Sequence, residues 1–318
     1  MPDDIFSPPR SLVSRRGFTA LAAALAAPAV PYASALAQAR PVTIGLLNDT
    51  SGFSADLSGL GAIVSAELAL EDFGPTVIGR PIALLKADHG AKPDLGVGIA
   101  RQWYDQGVNA IFDIGITTVA LGVQKLALDK NKIAIYTSTG TVDLTRAQCS
   151  PNGIHWTYDS YSVSVGAANA NMKVRGKKKW FFMTVDYAYG TSLQAEATQY
   201  ILANGGTVIG AARHAIETKD FSSDLLKAQS SGAEMIALAT PTPLIANIVK
   251  QANEFGLDRM GQSLAPFGMM LNDVKALGAQ LTQGLLVTEP FYWDQSDATR
   301  AFARRFFDKF KKMPNSLQ

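Results

Sequence analysis

Between Pro41 and Gly256 the chain alternates two kinds of segment, and this alternation constrains the fold more than any other feature. The short runs PVTIGLL, PIALLKAD, VNAIFDIG and KIAIYT are apolar and rich in β-branched residues. Each reads as a strand, and each is followed by a helix-like segment or a polar loop leading into one. In LGAIVSAELALEDF, for example, Ile63, Ala66, Leu70 and Phe73 recur at helical spacing. In DLGVGIARQWYDQG, Asp94 is the expected N-cap and Gly107 closes the helix. Repeated strand–helix–strand units predict a parallel sheet covered by helices on both faces.

A second series starts after IHWTYDSY. SYSVSVGAANANMKVRG, GTSLQAEATQYILANGG, DFSSDLLKAQSSG and PLIANIVKQANEFG are predicted helices, the last with Pro243 in its first turn. KKWFFMTV, TVIGAARHAI and AEMIALAT are the strands between them. Residues 265–278 show no clear pattern; QGLLVTEPFYW predicts a further strand, and DATRAFARRFFDKFKK an amphipathic helix with a solvated basic face. The predicted fold class is therefore α/β, with two Rossmann-like lobes. Their join, near Thr157–Ser160, contains no flexible linker.

Composition removes several function classes. Of the 318 residues, 47% are hydrophobic and 18% charged, which excludes general disorder. A net charge of +2 argues against a nucleic-acid or membrane-surface role. One cysteine, Cys149, permits no intrachain disulfide and reads as a structural thiol.

The first residues read as an address. Arg15 and Arg16 precede an Ala-rich apolar run over 20–30, too short to span a bilayer, and Ala35-Leu36-Ala37 fits a small-x-small cleavage site. Residues 1–37 are thus expected to be an export signal of the twin-arginine type, leaving a protein that starts near Gln38. No cysteine follows to carry a lipid anchor.

In open α/β sheets, ligands bind beyond the carboxyl ends of the strands. The first such loop, NDTSGFSADLSGLG, holds Gly59-x-Gly61-x-x-Val64, with Asp88 at the end of the next strand. That is a poor dinucleotide fingerprint, because the glycines lie well past the strand and Val64 replaces the third small residue. Next come GITTVA, with Thr117 and Thr118, and TSTGTVD, with Thr137, Ser138, Thr139 and Thr141 around Gly140. Hydroxyls beside the free N–H groups of helix N-termini suit an anion such as a carboxylate. Each loop alone also reads as ordinary helix capping; two adjacent loops of the same chemistry favour a site. In the second series, Asp186, Tyr187 and Tyr189 follow a strand, and Tyr158, Asp159 and Tyr161 lie at the join. These aromatics suit either an apolar ligand or packing between lobes. His89, His155 and His214 are too scattered for a metal site, and there is neither a nucleophile elbow nor a P-loop. Asp88-His89 is a weak acid–base pair, since strand neighbours face opposite ways.

The ordered set VTIGLLNDTSG, ADHGAKPDLGVGIARQWYDQGVNAIFDIGITTVALGVQ, STGTVDLT, HWTYDSY, DYAYGTSL, DFSSDLLKAQSSGAEMIALA and LLVTEPFYWD resembles the exported solute-binding proteins of ATP-driven importers, in the branched-chain amino-acid-binding group (type I periplasmic binding proteins). The resemblance implies two lobes, 41–157 with 288–318 and 158–287, closing like a hinge on a small ligand. It implies no catalysis and no cofactor, and as partners a small carboxylate ligand and an inner-membrane ABC permease. Thr117 stands where the family uses a hydroxyl for the ligand carboxylate. Ser138 and Gly140 match the strand-end carbonyl and neighbouring N–H, and Tyr189 the second-lobe tyrosine. Asp159 lies near the family's junction acid at a shorter spacing, and Thr118, Thr139, Tyr161 and Asp56 complete the candidate set. Phe53 departs from a common Pro, and ATPTPLIAN lacks the acid that often meets a ligand ammonium. The ligand is therefore either a branched-chain amino acid or an aromatic or aliphatic acid. The ending KKMPNSLQ, where similar proteins continue, makes truncation and exposed apolar surface an expectation. The alternatives are an exported NAD(P)-type oxidoreductase using the Gly59 loop and Asp88, and a sensory receptor of the same fold.

Overall fold

The computed structural model describes residues 40–318; the expected signal, 1–37, lies outside the described residues. The first series builds strands β1 (Val42–Asn48), β2 (Thr76–Val77), β3 (Arg80–Asp88), β4 (Ala110–Asp113), β5 (Ile133–Tyr136) and β6 (Gly153–His155). They form one sheet in the order β2-β3-β1-β4-β5-β6, parallel except for the short edge pair β2–β3. Helices α1 (Gly59–Phe73), α2 (Pro93–Asp105) and α3 (Thr117–Asp129) are the crossovers. The second series builds β7 (Lys179–Val185), β8 (Thr207–His214), β9 (Met235–Ala239) and β10 (Ser263–Pro266), an all-parallel sheet in the order β10-β9-β7-β8. Around it lie α4 (Ser160–Arg175), α5 (Ala188–Ala203), α6 (Ser222–Ser230), α7 (Thr242–Glu254), α8 (Leu271–Leu277) and α9 (Ala279–Thr282). Helix α10 (Asp297–Phe310) returns to the first lobe.

The second lobe shows why a parallel strand reads as an unbroken apolar run. In β7, Phe181, Met183 and Val185 enter one core with Ile236 and Leu238 of β9. Trp180 and Phe182 point the other way, into a core with Met235, Ala237 and Ala239. Because side chains alternate along a strand and both faces are covered, every position must be apolar. In the first lobe one face is filled by Trp103, Tyr104, Val119 and Val123 of α2 and α3 against Leu47, Ile111 and Tyr136. Gly45 is required there, since a Cβ would lie 2.5 Å from the Trp103 ring. On the other face, Val42, Ile44, Ile82 and Leu84 line an apolar groove bordered by α1 and the last residues of the chain.

Several expectations are corrected. Helix α2 is capped by Lys92, with Pro93 in its first turn; Asp94 lies inside that turn, where its charge suits the helix dipole, and does not cap it. Residues 283–293 form no strand. Leu285 and Val287 instead pack on the second-lobe core, so their burial is met without a ladder. The unpatterned stretch holds β10 and α8, and the short edge strands β2 and β6 carried no periodic signal. The basic face of α10 meets acids of α1: Arg305 pairs with Asp72 at 2.8 Å and Lys309 with Glu71 at 2.5 Å.

Candidate functional site

The loops after β1, β4, β5 and β6 meet those after β7 and β9 in a cleft. It is lined by Phe53, Ser54, Leu57, Ser58, Gly115, Ile116, Thr117, Ser138, Gly140, Tyr158, Tyr187, Tyr189, Pro241 and Leu317. No acidic, basic or histidine side chain is among them. The floor is the start of α3. Ile116 is its N-cap, in extended conformation and offering no side-chain hydrogen bond. Thr117 and Thr118 are therefore the first helical residues and not the caps expected from the sequence. Their N–H groups belong to the unpaired first turn, where the helix dipole favours negative charge. The TSTGTVD loop leads only into a 3₁₀ turn over Val142–Leu144, capped by Thr141.

The wall facing α3 is aromatic. The Tyr187 hydroxyl is buried and faces the N–H and hydroxyl groups of Thr117 and Thr118, yet closes no hydrogen bond of ordinary geometry. Burial raises its pKa, with those same groups opposing. Tyr158 and Tyr189 interact through their hydroxyls, and burial raises both. Gly140 sits against these rings: a Cβ there would lie 2.5 Å from Tyr189 Cε2 and 3.0 Å from Tyr158 Cε2. Beyond Tyr158, Tyr189 and Pro241 a second chamber continues to Met270, Thr288 and Glu289. Burial, reinforced by Asp273 and opposed by backbone N–H groups, pushes Glu289 up to about 7.

Behind the floor lies Asp113, 1% exposed, in a left-handed conformation with φ 76°. Its carboxylate accepts from the hydroxyls of Ser138 and Thr137 and from the Asn48 amide. Burial raises it to about 6 against the lowering effect of these bonds.

Of the residues singled out from sequence, Thr117, Ser138, Gly140, Tyr158, Tyr187 and Tyr189 line this cleft together. Thr118 is exposed, with its N–H and hydroxyl facing Tyr187 at the cleft wall. The others lie elsewhere. Thr139 turns its hydroxyl onto the Ile114 carbonyl. Asp159 caps α4, accepting from Ser162 N at 2.7 Å. Tyr161 is 48% exposed under the Arg146 guanidinium, which also bridges to Glu196 of α5 at 2.6 Å. Asp56 pairs with Lys312 at the surface. The weak pair Asp88-His89 is structural. The Asp88 carboxylate accepts from Thr50 N at 3.0 Å and Gly90 N at 2.8 Å; hydrogen bonds outweigh burial and hold it at about 2.

A family model described as periplasmic binding protein matches residues 41–318. The chain belongs to that family. A periplasmic binding protein from Burkholderia mallei is 40% identical, with a TM-score of 0.84 over 88% of this chain and 74% of that one. A branched chain amino acid ABC transporter periplasmic ligand-binding protein from Burkholderia xenovorans is 38% identical, with a TM-score of 0.76 over 87% and 74%. A solute binding protein of an ABC transporter from Rhodopseudomonas palustris, in complex with 3,4-dihydroxy benzoic acid, shares the fold at 23% identity, with a TM-score of 0.79 over 87% and 76%. No curated protein matches the chain. In this periplasmic binding protein the sequence reading passed over Ser58, Gly115 and Asp113 as site residues. Asp113 did leave a signal, a lone acid at the end of the apolar run AIFD.

Proposed function

We propose that this protein is an extracytoplasmic receptor that encloses a small carboxylate-bearing solute between its lobes and delivers it to the permease of an ABC importer. The observation that carries the reading is the cleft itself. It offers backbone N–H groups, hydroxyls and aromatic rings, and among its lining residues no carboxylate, imidazole, amine, guanidinium or thiol. Charge-assisted bonds to such groups are worth about 1.5–3 kcal/mol each, so a few of them with apolar contact reach micromolar affinity, about −8 kcal/mol. The Burkholderia xenovorans relative, by its description a ligand-binding protein of a branched chain amino acid ABC transporter, supports the same role here.

In this reading residues 1–37 direct twin-arginine export to the periplasm, and the lobes are 41–157 with 288–318 and 158–287. Thr117, Gly115 and Ile116 seat the carboxylate, while Tyr187 and Tyr189 close over it. Closure excludes water and makes the surface that a permease distinguishes from the open form. Against a dinucleotide role, Asp88 is committed to loop N–H groups, and Gly61 is covered by Gln318, whose side chain would lie 2.3 Å from a Cβ. The test is a thermal-shift screen of branched-chain amino acids against aromatic and aliphatic acids. Stabilisation by at least one carboxylate, without turnover, is expected. No response from either class, or conversion of any of them, refutes the proposal.

A further inference from the structure

One hydroxyl on the cleft floor, that of Ser138, has a fixed polarity, and the reason lies one layer back. Asp113 accepts from it, from the Thr137 hydroxyl at 3.1 Å and from the Asn48 amide. A carboxylate has acceptor positions and no donor. Ser138 therefore spends its single proton on Asp113. What remains for the cleft is the oxygen lone pairs. Ser138 meets a ligand as an acceptor, although as an isolated residue it could donate.

Its position adds to this. A Cβ built on Gly115 would lie 3.0 Å from Ser138 Oγ. The acceptor thus flanks the residue that leads directly into the α3 N-terminus, where Thr117 begins the helix. An anion seat and an acceptor lie side by side. A carboxylate has nothing to donate to that oxygen; a ligand whose carbon next to the carboxylate carries N–H or O–H groups does. No cation is among the groups acting on Asp113, whose partners are all neutral donors. A positive donor group would meet that charge through the Ser138 hydroxyl.

We propose that Asp113 is a positioning residue that sets the hydrogen-bonding polarity of the cleft floor, holding Ser138 as an acceptor so that the cleft selects carboxylates with a donor on the adjacent carbon. The inference rests on the carboxylate seat proposed above. It places in the first lobe, one layer behind the surface, the acid that ATPTPLIAN lacks in the second.

The experiment compares matched probes by calorimetry: leucine with 4-methylpentanoate, and phenylalanine with 3-phenylpropanoate. In the wild type, at least one amino acid is expected to bind ten-fold or more tightly than its desamino partner. In Asp113→Asn, whose amide can donate to Ser138, that ratio is expected to fall to two-fold or less. Ser138→Ala keeps Asp113 in place and serves if Asp113→Asn does not fold; it too is expected to lose most of the preference. A wild type that binds both members of each pair equally overturns the inference while leaving the carboxylate seat standing. So does a folded Asp113→Asn or Ser138→Ala protein that keeps the full ratio. Binding of neither member of either pair, with a positive screen for other acids, overturns the inference; a screen with no carboxylate ligand at all overturns the seat with it.

Discussion

Gly140→Ala is the most direct probe of the cleft, because one added methyl group falls between the lobes. Its Cβ would lie 2.5 Å from Tyr189 Cε2, 3.0 Å from Tyr158 Cε2 and 3.2 Å from the Tyr158 hydroxyl. Carbon atoms pack at about 3.5–4.0 Å, so the Tyr189 ring must retreat by roughly 1 Å. It cannot do so freely, being only 9% exposed and packed in the core with Trp180, Phe182 and Leu193. Overpacking of this kind costs about 1–3 kcal/mol. The cost falls on the closed arrangement, since separating the lobes relieves the contact. Affinity for the tightest carboxylate of the screen is therefore expected to fall roughly 5- to 150-fold at 1.4 kcal/mol per decade. The melting temperature without ligand is expected to change little. Calorimetry on both proteins, with melting curves in the absence of ligand, measures the two effects separately. Affinity within two-fold of wild type would refute the reasoning, as would an unliganded protein destabilised by the whole amount.

Three further outcomes follow from the same geometry. Tyr187→Phe removes a buried hydroxyl that has no hydrogen-bond partner, so unliganded stability is expected to hold or rise while carboxylate affinity falls by about 1–2 kcal/mol; paired melting and calorimetry check both signs. Asp113 titrates at about 6 in the folded protein, above its unfolded value of about 3.9, so its contribution to stability is fully present below about pH 4 and is lost as pH rises through about 6, on the order of 3 kcal/mol in all. Urea unfolding between pH 4 and 7 is expected to show that loss in the wild type and to lack it in Asp113→Asn. Phe182→Ala empties a fully buried position that meets Phe267 edge-on at 6.1 Å, and is expected to cost about 3–5 kcal/mol in chemical denaturation.

The order of strands and helices was legible because period-2 and period-3.6 burial leave distinct marks along the chain. Thr117, Ser138, Gly140 and Tyr189 were legible for a related reason: each follows a strand of a parallel sheet, and parallel strands carry their following loops to one edge. The first sheet's strands β1, β4 and β5 and the second's β7 all end in this way at the cleft. Thr139 is the neighbour of the lining residues Ser138 and Gly140, but one step along the loop turns its side chain onto the Ile114 carbonyl, and no periodicity records that step. Asp159 has the composition of a site residue and the position of a helix cap; only the Ser162 N–H at 2.7 Å shows which demand it meets.

What the sequence alone determined is therefore the α/β class, the two series and the strand-end location of the cleft. The tertiary structure decided the rest. It left residues 283–293 without a strand, because their apolar side chains found a core without a ladder. It brought Asp113 beneath Ser138, a residue distant in the chain, so that a buried carboxylate sets which way that hydroxyl points. Periodicity along a chain encodes which face is buried; the direction of a proton in a hydrogen bond depends on what the other loops bring beside it.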